Sequence, residues 1–137
     1  MELVTVKLII DIGLGLCNLA KGLFSSDRTK NIGNWMVDLG SLIEEVAADL
    51  EKKQYPYTAC AKMQYMVSQF EDVVGNNTVA ADQLRELSIM LHQAQNIERL
   101  FGEISSLDER DTKMNLIRLK ETAGTLQAAG GILQKGL

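Results

Sequence analysis

Proline is almost missing. Pro56 is the single example in 137 residues, which argues against a β-sandwich, since many short strands need frequent turn punctuation. Aromatic residues are scarce, at 5%. A basic excess is absent as well: the net charge is −4 and the pI is about 5.0. Lys52 and Lys53 follow Glu51, and Asp49 lies four residues before Lys53. Such mixed runs form solvated helix faces. They do not make the concentrated positive surface that neutralises phosphates, so nucleic acid is excluded as a partner. There is one histidine, His92. A carboxylate-bridged metal bundle needs Glu-x-x-His on each of two helices, and the residue three before His92 is Ile89. H-E-x-x-H is missing too. The two cysteines, Cys17 and Cys60, are far apart, with no C-x-x-C spacing. They read as small buried thiols in a reducing compartment, hence the cytoplasm, with a disulfide between them left open.

A long uninterrupted apolar run is also lacking. Leu3 to Phe24 comes nearest, but Lys7, Asp11, Asn18 and Lys21 lie within it. Asp11 alone would cost about 3 kcal/mol near a bilayer centre, while each Leu or Ile returns about 0.3–0.6 kcal/mol. No small-residue cleavage site follows, and Glu2 precedes the first lysine, so the segment is no secretory signal. Gly13 and Gly15 match the first two positions of G-x-G-x-x-G, but Asn18 holds the third. Nothing downstream supplies the parallel strands that a dinucleotide fold requires. The remaining reading is a helix of the fold. Its polar residues share one narrow stripe, Lys7 and Asp11 can pair, and the other sides need cover. Gly13, Cys17 and Ala20 offer a small-residue side; Gly124, Ala128 and Gly131 near the chain end offer a matching one. These two stripes are expected to face each other.

What is present is helical periodicity. Ser25, Ser26 and Asp27 are N-cap residues. Ile32, Trp35, Met36, Leu39, Leu42, Ile43, Val46 and Leu50 then recur at three- and four-residue steps, with polar residues opposite. Pro56 ends this helix near Gln54. Thr58 caps the next, whose stripe is Cys60, Met63, Val67, Phe70 and Val74, with a stop at Gly75. Thr78 starts a fourth helix, carrying Leu84, Leu87, Leu91, Ala94, Ile97, Phe101 and Ile104. Ser106 and Glu109 form a capping box. The last helix has Met114, Ile117, Ala123, Leu126 and Leu133 as inward candidates and frays at Gly130, Gly131 and Gly136. Short links set successive helices antiparallel. The expected fold is all-α: one domain over 1–137, an up-and-down bundle of four to five antiparallel helices.

No residue set carries an obvious reaction. The carboxylates mostly oppose the apolar stripes, and a solvated face is not the pocket that a general acid needs. No catalytic, cofactor-binding or metal-ligating residue is assigned, and no cofactor is expected. Met36, Met63, Met66, Met90 and Met114 are read as gap-fillers of a helical core, with an adaptable partner groove as the alternative. KGLFSSDR, QYPYTACAKM and ERLFGEISSLDER resemble an uncharacterised family of small bacterial helical proteins. That resemblance implies an all-helical fold and brings no functional residues with it.

The function expected is a non-enzymatic interaction module, a scaffold or regulator. It would bury an apolar face of the first helix against a second copy or a protein partner. The interface candidates are Leu8, Ile12, Leu16, Leu19 and Leu23, with Tyr55 and Tyr57 as aromatic anchors on a short connection. The first alternative is a peripheral membrane protein that docks through the same helix, with Lys7 and Lys21 on anionic headgroups. The second is a carrier of an apolar ligand, or an enzyme with a Cys/His site.

Overall fold

A computed structural model describes residues 3–21, 27–74 and 97–135. These form α1 (Val4–Lys21), α2 (Asp27–Glu51), α3 (Tyr57–Val74), α4 (Ile97–Ser105) and α5 (Glu109–Gln134), with no strand among the described residues. The all-α bundle expected from the periodicity is the fold.

The order of packing is not the order of the chain. The most extensive interface joins α2 to α5; α1 lies on α5, α3 on α2, and α4 touches α1. The bundle is therefore organised around the α2–α5 pair. The α2 stripe is buried as its spacing predicts, with Met36, Leu39, Val46 and Ala47 at 2% exposure or less. Trp35 is in the core, and its indole Nε1 donates to the Met66 carbonyl of α3 at 3.2 Å.

Glycine explains how close α2 and α5 come. A Cβ added to Gly33 would lie 2.7 Å from the Gly130 carbonyl oxygen. One added to Gly130 would lie 2.6 Å from the Gly33 oxygen. At Gly40 the obstacle is the Ala123 oxygen, at 2.7 Å. Gly33 and Gly40 are seven residues apart, as are Ala123 and Gly130. The two helices run antiparallel, and the small residues recur once every two turns on the shared face. Polar bonds line the rim of the seam. Gln134 Nε2 donates to Asn34 Oδ1 at 2.7 Å, Gln127 Nε2 to Glu44 Oε2 at 3.2 Å, and Lys120 Nζ to Glu51 Oε2 at 2.6 Å.

The first and last helices do touch, but not through the stripes expected. A Cβ on Gly13 would meet Thr122 Cγ2 at 2.7 Å, whereas Gly124 and Gly131 have open space beside them. Ala128 is exposed. The small residues of α5 that permit close approach are Ala123 and Gly130, and they serve α2. At the start of α1, the buried Asn115 side chain accepts the Leu3 backbone N–H at 3.0 Å and donates to the Asp111 carbonyl at 2.8 Å. An otherwise orphaned helix-start donor is thus satisfied from a neighbouring helix. Leu3 lies beside Asn115 and Gly13 beside Thr122, so α1 and α5 run the same way.

Three local readings are corrected. The N-cap of α5 is Asp108, whose Oδ1 accepts from the Asp111 N–H at 2.7 Å, while Ser106 Oγ turns back to the Glu103 carbonyl. α3 begins at Tyr57, so Thr58 lies inside its first turn. α5 does not fray at Gly130; it stays helical to Gln134, because Gly130 is held against Gly33. The expected Thr78 helix start, its stripe through Ala94 and the Gly75 stop lie outside the described residues.

Candidate functional site

Ile12 and Leu16 were expected on an interface and are instead in the core, 2% and 1% exposed. The reason is the position of α1 on α5, which turns Val6, Ile9, Ile12, Gly13 and Leu16 inward together. Leu8 is half-buried against the same core. Leu23 and the side chain of Leu19 lie outside the described residues. Among the described side chains of α1, the exposed large apolar one is Leu14, at 56%, beside exposed Lys7 and Asp11.

Tyr55 and Tyr57 sit at one end of the bundle. After α2, Lys53 takes a left-handed conformation (φ 58°), and the chain turns through buried Pro56 into α3. The Tyr55 ring is half-buried. It meets Tyr57 with centroids 4.6 Å apart and the Phe101 ring of α4 edge-on at 5.3 Å. Tyr55 thus closes the bundle end against α4. Tyr57 is 77% exposed.

Near this end a groove of about 700 Å³ opens between α2, α4 and α5. Leu50, Phe101, Ile104, Leu107, Leu116 and Ile117 supply its apolar lining, and Glu51, Lys53, Glu109, Lys113 and Lys120 its charges. Glu51 is held below the ordinary carboxyl value of 4.5, first by the hydrogen bond from Lys120, then by the charges of Lys120 and Lys52. An ionised, solvent-facing carboxylate in an ion pair is not poised for proton transfer near neutrality.

Among the described residues, no group of three or more His, Cys, Asp or Glu is placed to hold a metal ion. Cys17 is a half-buried thiol that forms no disulfide among the described residues. His92 and the Cys60 side chain lie outside the described residues. No described helix is long and apolar enough to cross a membrane.

The surface that sequence reasoning missed is the outer face of α5. Met114 and Ile117, expected inside, are 40% and 45% exposed, and Ile132 is 53% exposed. The residues turned inward are Asn115, Leu116, Leu119, Thr122, Ala123, Leu126, Gly130 and Leu133. Around Met114 and Ile117 lies a shallow depression of about 390 Å³, completed by Arg110, Lys113, Arg118 and Glu121. Every residue lining it belongs to α5. A signal was available. Arg110, Met114, Ile117 and Glu121 follow one another at steps of four, three and four, a second helical stripe beside the Leu116–Leu119–Ala123–Leu126 one.

Comparison of the chain with family models, with curated proteins and with solved structures finds no match.

Proposed function

We propose that the protein is a non-enzymatic helical interaction module of the cytoplasm, working as a scaffold or regulator through the outer face of α5. One observation carries this reading. Met114 and Ile117 stand exposed side by side on a helix whose opposite face is fully engaged with α1 and α2. Clustered apolar side chains ringed by charge suit a protein contact better than they suit water. The reading moves the expected contact from α1 to α5, because Ile12 and Leu16 are occupied internally. Docking to a membrane surface has less support, since α1 offers Leu14 as its one exposed large apolar side chain among the described residues.

A photoreactive residue placed at Ile117, in cells, tests the proposal against the same residue at exposed Ser41. The expected result is a discrete cross-linked protein adduct from position 117 and none from 41. Equal labelling at both positions, or labelling of lipid alone, would reject it.

A further inference from the structure

We infer that the partner seated on the outer face of α5 is a second copy of this chain, docked antiparallel through the same face. This rests on the interaction-module reading above and narrows it to one occupant. The argument is the charge complementarity of the central stripe of this face, Arg110 with Glu121, under twofold symmetry, in which residue i meets j and j meets i. Along α5 the exposed face runs Arg110, Met114, Ile117, Glu121, in a four-three-four spacing that suits helix-on-helix packing. A twofold axis passing midway between Met114 and Ile117 sets Met114 of one copy against Ile117 of the second. The same register sets Arg110 of each copy against Glu121 of the other. Two apolar contacts are then flanked by two symmetric ion pairs, with no other register required. Beyond Glu121, Gly124 has nothing within 4 Å of an added Cβ, so backbone approach is unobstructed there. Lys113 and Arg118 flank the seam with like charge and oppose close association. With a contact of one helix face, this makes the dimer reversible, in the range below standard interface size.

Sedimentation equilibrium of the purified full chain, with circular dichroism to verify the fold of each variant, decides the matter. The wild type is expected to dimerise on concentration and dissociate on dilution. Arg110→Glu and Glu121→Arg each place like charges across the axis, and each should weaken the dimer about tenfold or more. The double variant restores opposite charges and should recover affinity to within about threefold of wild type. A chain that stays monomeric at the highest attainable concentration overturns the inference, as does a dimer indifferent to both single changes or a double variant that fails to recover. If the adduct from position 117 contains a different protein while the purified chain is monomeric, the interaction-module reading stands and the second copy falls.

Discussion

At the residue scale, the glycines of this protein do two opposite jobs. Gly33 and Gly130 are close-contact residues, where each lacks a Cβ because the other's backbone fills the space. Gly124 is exposed and has open space beside it. Alanine therefore acts with opposite sign at the two kinds of site. Gly33→Ala should lower the unfolding free energy by about 1–3 kcal/mol, since separating two helix backbones costs more than the helix propensity gained. Gly124→Ala should raise it by about 0.5–1 kcal/mol, because the unfolded chain loses freedom and nothing clashes. Urea denaturation of the two variants at low protein concentration reads both signs; a stabilised Gly33→Ala would mean that the α2–α5 contact is looser than described.

Among the elements, α5 exposes residues that its spacing placed inside, just as α1 buries Ile12 and Leu16, which were expected on an interface. The inner face of α5 includes Asn115, Thr122, Ala123 and Gly130, which are polar or small, while its outer face includes Met114, Ile117 and Ile132. Its first half carries two apolar stripes side by side, Leu116–Leu119 inside and Met114–Ile117 outside, and periodicity alone does not say which of them is buried. α2 has no such conflict, and its stripe was legible residue by residue. The rim of the α2–α5 seam also carries a pH signature. Glu51 is depressed in the folded state by Lys120. A carboxylate with a lowered folded pKa contributes stability that is complete above its unfolded value of 4.5 and lost as pH falls through the lower folded value. Lys120→Gln should remove this contribution, so that wild type and variant converge in stability at acid pH and separate above pH 4.5. The separation should be small because the pair is exposed. Thermal melts across that pH range test it; a gap that widens on acidification would contradict the assignment.

For the whole molecule, α5 is the axis: α2 packs on one side and α1 on another, while α3 and α4 attach to α2 and α1. The N-terminal helix is consequently part of the body. Removing residues 1–21 would uncover the Thr122–Leu126 side of α5 and leave Asn115 without the Leu3 N–H. The truncated chain is expected to bind a hydrophobic dye and to lose its cooperative thermal transition while retaining helical circular dichroism. A truncated form that melts as sharply as wild type would show that α1 is dispensable.

By itself the sequence determined the helical class, the inward stripe of α2, the helical state of the segment after Leu3, and the absence of zinc-type or paired Glu-x-x-His motifs. These depend on spacing along one chain, which periodicity reports directly. Only the tertiary structure decided which helices meet. The pairing of Gly33 with Gly130, the cap that Asn115 gives α1, and the exposure of Met114 and Ile117 all join positions far apart in the chain. Packing turned inward the face of α5 that joins Leu116, Leu119, Leu126 and Leu133 to the small residues Ala123 and Gly130, because that face offers a continuous apolar stripe and lets the α2 backbone approach closely, and Met114 and Ile117 are left on the other side.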